Sequence, residues 1–184
     1  MTTQVESSLS TYDDYLTLPA DSNRYEIVRG ELYMTPSPGE RHQDVLRKLL
    51  SEMNQFVESR KAGKISIAPF DVVLSFTDIV QPDLFFIAAD RLEIIKPKNM
   101  VAAPDLVVEV LSEHTKTLDR TVKFTLYERA VVKEYRIVDP EAQTAEQYVR
   151  KEENLVQHAL LKINDTITIQ VIPDATLPVQ SFLE

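Results

Sequence analysis

The sequence predicts an α/β (α+β) fold in which a mixed central sheet is flanked by helices, with antiparallel strands added at both chain ends. Three observations predict it. Val45, Leu46, Leu49, Leu50, Met53, Phe56 and Val57 recur at helical spacing and give one apolar stripe. Leu106 to Leu111 is a short, almost continuous apolar run, which suits a strand covered on both faces. Near both ends, short alternating segments are separated by turn residues.

In chain order, Tyr12 to Leu18 reads as a short helix closed by Pro19. Tyr25–Val28 and Glu31–Met34 flank Arg29-Gly30 and read as a hairpin, because glycine supplies the positive φ of such turns. Pro36-Ser37-Pro38-Gly39 is a breaker. The striped helix follows from about Glu40 to Ser59, with Gly63 expected to end it. Lys64 to Leu74 reads as one or two strands and Val80 to Ile87 as another. After the Leu106–Leu111 strand, Leu118, Val122, Leu126 and Ala130 predict a helix over 118–130. Lys133 to Val138 is a further strand, closed by Asp139-Pro140. Ala145–Arg150, Leu155–Leu161 and Thr166–Val171 read as a meander, with its first turn at Lys151-Glu152-Glu153-Asn154.

The 184 residues fit one domain over 1–184, with a core of about 40–140, an N-terminal hairpin of about 25–35 and a C-terminal meander of about 145–172. A chain of this size buries roughly 70 % of its unfolded surface and needs no covalent staples. It has no cysteine, which excludes disulfides and thiolate metal sites and fits a reducing compartment. Met1 to Ser10 is polar and lacks the apolar segment of a signal peptide. No apolar run approaches the ~20 residues of a membrane span. The expectation is a cytoplasmic protein without a membrane partner.

The net charge is −9. Tight nonspecific binding to a polyanion needs neutralising Lys and Arg, so the total argues against it. The acidity lies in the flanks: residues 32–140 carry 15 basic and 16 acidic groups. His114 to Lys133 holds Lys116, Arg120, Lys123, Arg129 and Lys133 against Asp119 and Glu128, which is either a local anion site or a solvated helix face. With only three glycines there is no phosphate-binding loop. No Gly-x-Ser-x-Gly elbow exists, and His42, His114 and His158 show no zinc-binding spacing.

Two acids interrupt apolar strands. Glu109 lies within Leu106–Leu111, and burying it without a partner costs several kcal/mol. Either an ion pair or a site accounts for it. Asp83 follows Pro82 at the head of Leu84–Ile87, where it caps a turn or joins Glu109 on an adjacent strand. A divalent cation relieves the repulsion of such a pair, and Mg²⁺ (or Mn²⁺) is typically held by one or two carboxylates, waters and phosphates. Asp119, Lys123 and Tyr127 recur at four-residue spacing on one helix face, expected opposite Leu118, Val122 and Leu126. Lys123 is thus a candidate third catalytic member beside a candidate metal pair; the alternative is a surface Asp–Lys pair. His42, Glu31, Asp119, Arg120 and Tyr127 are candidate substrate contacts or supports for that pair, and Glu26 brackets the hairpin turn with Glu31.

Several segments together resemble one family: Tyr25-Glu26-Ile27-Val28-Arg29-Gly30-Glu31-Leu32, Pro36-Ser37 with His42, Pro82-Asp83-Leu84, and Pro104-Asp105-Leu106-Val107-Val108-Glu109-Val110-Leu111-Ser112. Asp119 with Lys123 and Tyr127, and Glu134-Tyr135-Arg136-Ile137-Val138-Asp139-Pro140, complete the pattern over roughly 12–175. The set resembles the Uma2 family, also called DUF820. That resemblance implies the restriction-endonuclease-like PD-(D/E)xK fold, with a metal-binding Asp opening one central strand and a Glu on the next. A lysine normally follows the Glu by two residues. Leu111 stands there, and Lys123 resembles the migrated substitute of related proteins.

Three functions follow from these readings. The first is a Mg²⁺-dependent nuclease acting on DNA or another nucleic acid. The second is a catalytically inactive relative serving as a binding module, which Leu111 and the net charge favour. The third is a metal-dependent hydrolase of a small phosphorylated substrate. A homodimer is expected, because the tail meander offers strand edges that need covering.

Overall fold

The computed structural model describes residues 11–19, 21 and 23–184, and the backbone of 3–5. The polar stretch 1–10, read above as lacking a signal peptide, otherwise lies outside the described residues. Among those described, no helix is long and apolar enough to cross a membrane.

The N-terminal half builds a six-stranded sheet. Strand β1 (Thr3–Val5) pairs with β3 (Glu31–Thr35), the second arm of the hairpin begun by β2 (Arg24–Val28). Arg29 (φ 55°) and Gly30 (φ 76°) make the turn in the left-handed region, as the Arg-Gly pair predicts. Helix α1 (Tyr12–Tyr15) opens with a capping box, Thr11 and Asp14 bonding each other's backbone amides. It packs Tyr12, Tyr15 and Leu18 on Ile27, Leu32 and Ile79.

Helix α2 (Glu40–Arg60) buries Val45, Leu46, Leu49, Met53 and Val57 of the predicted stripe, half-buries Leu50 and Phe56, and buries His42 as well. Each apolar side chain removed from water there stabilises by roughly 1.5–3 kcal/mol. Gly63 does not end this helix. Lys61 takes the left-handed C-cap position (φ 52°), and Gly63 begins β4 (Gly63–Ile67) at φ 153°. A Cβ on Gly63 would lie 1.9 Å from the Ile87 carbonyl oxygen, so glycine is required there by the close approach of the neighbouring strand.

The expected strand over 80–87 is two strands in two sheets. Strands β5 (Asp71–Ser75) and β6 (Asp78–Val80) extend the first sheet, and β7 (Leu84–Ala88) joins the second. Proline removes a ladder donor, so the break falls at Gln81-Pro82-Asp83 and leaves Asp83 at the mouth of β7. A 3₁₀ segment (Ala89–Ile94) leads to β8 (Asn99–Val101), which closes the first sheet in the order β1-β3-β2-β6-β5-β8.

Strand β9 (Leu106–Val110) is buried on both faces along its whole length. The helical segment after it starts as α3 (Lys116–Leu118), widens through a π turn at Asp119–Lys123 and continues as α4 (Phe124–Arg129). Strand β10 (Glu134–Asp139) returns parallel to β9, with β11 (Thr144–Lys151) and β12 (Asn154–Lys162) added antiparallel. The second sheet therefore runs β12-β11-β10-β9-β7-β4, mixed as predicted. The tail departs from the expected meander. Strand β13 (Thr166–Thr168) leaves β12 and pairs with β14 (Thr176–Pro178), and α5 (Gln180–Leu183) packs against α2.

Alternation along β9 sorts the two faces. Leu106, Val108 and Val110 join the core under α2 and the tail, while Val107 and Leu111 join Leu126, Tyr127 and Tyr135 in a core shared with the first sheet. Glu109 faces the second core. The Asp119–Lys123–Tyr127 face is not opposite the apolar stripe but beside it, and all three side chains are buried.

Candidate active site

Glu26, Asp83, Glu109, Asp119 and Lys123 converge where the two sheets meet the π turn, each buried. They line a cleft of about 280 Å³ with Arg24, His42, Ser112, His114 and Thr115. Asp83 and Glu109 interlock. The Asp83 amide donates to Glu109 Oε2 at 3.3 Å, and the Val110 amide donates to Asp83 Oδ2 at 2.9 Å. The antiparallel register of β7 on β9, Leu84 opposite Val108, sets this contact.

Each carboxylate is then held by side chains. Asp83 Oδ1 takes Arg24 Nη1 at 2.7 Å, and Oδ2 takes His42 Nε2 at 2.9 Å. Glu109 Oε1 accepts from Lys123 Nζ at 3.0 Å and from the Tyr127 hydroxyl at 2.7 Å. Lys123 Nζ also lies 2.9 Å from Glu26 Oε1 and 3.6 Å from Asp119 Oδ1. The Gln81 amide fixes Glu26 Oε1 at 2.8 Å. Among the described residues, Asp119 Oδ1 and His42 Nδ1 are buried without a hydrogen-bond partner.

Burial works against every charge here, and the neighbours decide each outcome. For Asp83, the His42 hydrogen bond and the Arg24 guanidinium outweigh burial and hold the carboxyl below its ordinary range. For Glu109, burial dominates over Lys123, and Asp119, Asp83 and Glu26 add to it, so its pKa is raised. Asp119 is raised chiefly by burial, against the pull of Lys123. Lys123 loses to burial but gains more from Glu109, Glu26 and Asp119, so its ammonium persists. Burial keeps Tyr127 a neutral phenol that donates to Glu109.

Most of the residues expected from the sequence meet here, and two do not. Glu31 is exposed at the turn end of the hairpin, where it accepts from the Tyr33 hydroxyl. Glu26, two residues up the same face, takes the buried place instead. Arg120 is spent on Glu146 at 2.6 Å and Asp139 at 3.5 Å on the surface, outside the cleft lining. Lys123 is no surface partner of Asp119: both side chains are buried. Arg24 and Thr115 had no signal beyond ordinary surface polarity, and Ser112 had none beyond closing the Pro104–Ser112 segment. Glu26 had one, since Ile27 and Val28 follow it as apolar residues flank Glu109.

The donor set suits a hard cation. Four buried carboxylates face two full cations, Arg24 and Lys123, and among the described residues Asp119 Oδ1 accepts no hydrogen bond. Among the described residues, however, no group of three or more His, Asp or Glu side chains is gathered to hold a metal ion. A site of two carboxylates completed by water and phosphate needs no such cage.

The mixed sheet and its flanking helices make the fold restriction-endonuclease-like. The Uma2 family model, described as "Putative restriction endonuclease", matches residues 12–180, and the chain belongs to that family. A crystal structure titled as a putative nuclease belonging to DUF820, from Anabaena variabilis ATCC 29413, superposes with a TM-score of 0.77. It is 15% identical, and the match covers 94% of this chain and 97% of that one. No curated protein matches the chain.

Proposed function

We propose that the chain is a divalent-metal-dependent nuclease of the PD-(D/E)xK type that hydrolyses phosphodiester bonds. One observation carries the reading: Asp83 and Glu109 interlock across adjoining strands, with Lys123 Nζ 3.0 Å from Glu109 Oε1, in a cleft open to solvent. Family membership and the related fold support it.

In this reading Asp83 and Glu109 would hold Mg²⁺ or Mn²⁺, which would supply an activated water and offset charge developing on the phosphoryl group. Leu111 is packed in the core and cannot serve as the lysine of the usual motif. Lys123 reaches the same carboxylate from the helix, so its ammonium stabilises the oxyanion side of the reaction. Glu26 and Asp119 aim that ammonium, and the Tyr127 hydroxyl donates to the same Glu109 oxygen. His42 and Arg24 hold Asp83 ionised.

A second cleft of about 620 Å³ shares Gly39, His42 and Ser112 with the first. That continuity gives room for a polymeric substrate, while the lining of Glu40, Glu113, Asp139 and Glu141 against Arg41 and Lys116 keeps the small phosphorylated substrate open. The binding-module reading draws on Lys123, whose ammonium is engaged by three carboxylates. Titration calorimetry with Mn²⁺ separates these readings. Wild type should bind, Asp83→Ala and Glu109→Ala should not, and cleavage of DNA or RNA should fall to background in both. Cleavage unchanged in the variants would sink the assignment; no Mn²⁺ binding by wild type would favour the binding module. The expected homodimer has an edge to use in β12, which exposes Val156 and Leu160, and a monomer at every concentration in light scattering would reject it.

A further inference from the structure

The two oxygens of Asp83 are held unequally. Oδ2 is fixed by the Val110 amide and by His42, both buried. Oδ1 is held by one side chain, Arg24. That side chain rises from the neighbouring sheet, retains 18% of its exposure and lines the cleft. Its bonds run through Nη1 alone, to Asp83 Oδ1 at 2.7 Å and to the Gln81 carbonyl at 3.4 Å. Among the described residues, neither Nε nor Nη2 donates to any group. A guanidinium presents a planar fork of donors that matches phosphate in a two-point contact, and half of this fork is unspent. Lys123, by contrast, is buried and surrounded by carboxylates.

Oδ1 is thus the oxygen of Asp83 that can change partners, and Arg24 is the partner that can leave. We propose that Arg24 is a phosphate-binding residue held in reserve, neutralising Asp83 in the resting protein and turning to a substrate phosphate once a divalent cation takes Asp83 over. The inference rests on the metal-dependent reading and adds to it a residue and an order of events. Arg24 then contributes to phosphate binding only in the metal-loaded protein, and metal and phosphate raise each other's affinity through it, as linkage requires.

The probe is inorganic phosphate, titrated calorimetrically into full-length protein in EDTA and in saturating Mg²⁺. Arg24→Gln should weaken phosphate binding about tenfold with Mg²⁺, the worth of one lost charge-assisted contact, and leave it within about twofold in EDTA. Asp83→Asn frees Arg24 without metal, so it should tighten phosphate binding in EDTA about tenfold. The Asp83→Asn/Arg24→Gln double variant should lose that gain; if the gain survives, it was only the removal of a negative charge and the inference falls. It falls equally if Arg24→Gln weakens phosphate alike with and without Mg²⁺, or not at all. Should Arg24→Gln fail to fold, Arg24→Lys keeps a cation on Asp83 without the fork, and the same Mg²⁺-restricted loss is expected. Failure to bind Mg²⁺ by the wild type overturns the metal reading itself. Mg²⁺ binding with phosphate affinity indifferent to Arg24 overturns this inference alone.

Discussion

The second sheet carries buried charge on both faces, and the two clusters are built differently. Behind β10, Glu134 and Arg136 bond each other under the C-terminal segment. Glu134 Oε1 also takes Gln147 Nε2 at 2.7 Å, and Oε2 takes the amides of Gln170 at 2.9 Å and Val171 at 3.3 Å. Arg136 reaches the Thr168 carbonyl at 3.0 Å. Charge balances charge, and both carboxylate oxygens are satisfied. One strand away, on the other face, four carboxylates gather round Lys123 and Arg24, and among the described residues Asp119 Oδ1 and His42 Nδ1 have no hydrogen-bond partner. A closed cluster pins the tail to the sheet. An open one, surplus in one sign and lining a cleft, has capacity left for a ligand.

Breaking the closed cluster should cost most. Glu134→Ala leaves the Arg136 guanidinium buried and unpaired, and should lower unfolding free energy in urea by about 4 kcal/mol. Glu134→Leu with Arg136→Met removes both charges and should recover most of that loss. A Glu134→Ala cost below about 1 kcal/mol would mean that water reaches the pair and that the contrast is overdrawn.

Asp105 extends the closed class to the far end of β9. It accepts from the Ala88 amide at 2.9 Å, Arg91 at 2.8 Å and Lys133 at 2.7 Å. Burial alone would raise its pKa, but the Ala88 amide, Lys133 and Arg91 together lower it below 3.8. A carboxyl with a depressed folded pKa contributes stability that is present above the unfolded value and lost as pH falls through the folded one. Urea midpoints for wild type and Asp105→Asn should therefore draw together as pH falls below 3.8 through the depressed folded value. At pH 7 the variant should be less stable by about 2 kcal/mol, the worth of lost bonds to charged groups. A gap independent of pH would show that Asp105 acts by packing instead.

The sequence made the open cluster legible where burial could be judged locally. Glu109 has apolar neighbours on both sides within one strand, so a buried carboxylate follows from the pattern itself. Asp83 was legible through Pro82, although the split of 78–88 between two sheets was not, since which sheet a strand joins depends on pairings remote in sequence. Glu26 was underrated and Glu31 overrated for the same reason. They share a hairpin face, and only the helical segment near residue 123, about a hundred positions on, decides which one is covered. The Asp119–Lys123–Tyr127 spacing was read correctly as one face, but a second sheet had to pack on it before it counted as interior. The Glu134–Arg136 pair was seen as part of a motif, and its closure depends on Thr168, Gln170 and Val171, which lie in a tail that the alternation pattern misread as a third meander strand.

The smallest effect has the opposite sign and tests the open cluster directly. Asp119 is buried among Lys123, Asp83 and Glu26, and burial first, then the two carboxylates, push its carboxyl up from 3.8 to about 6 despite the pull of Lys123. The folded protein thus holds a proton on Asp119 that the unfolded chain has released, and stability falls as pH rises between those values. Asp119→Asn removes the ionisation while keeping the shape. In EDTA it should leave stability unchanged below pH 4 and raise it by about 1 kcal/mol at pH 8 in urea unfolding. A functional site that stores repulsion has this signature, gaining stability when one of its charges is neutralised, whereas Glu134 neutralised alone should lose it. If Asp119→Asn destabilises at pH 8, Lys123 has satisfied the cluster as fully as Arg136 satisfies Glu134, and the distinction between the two faces of the sheet disappears.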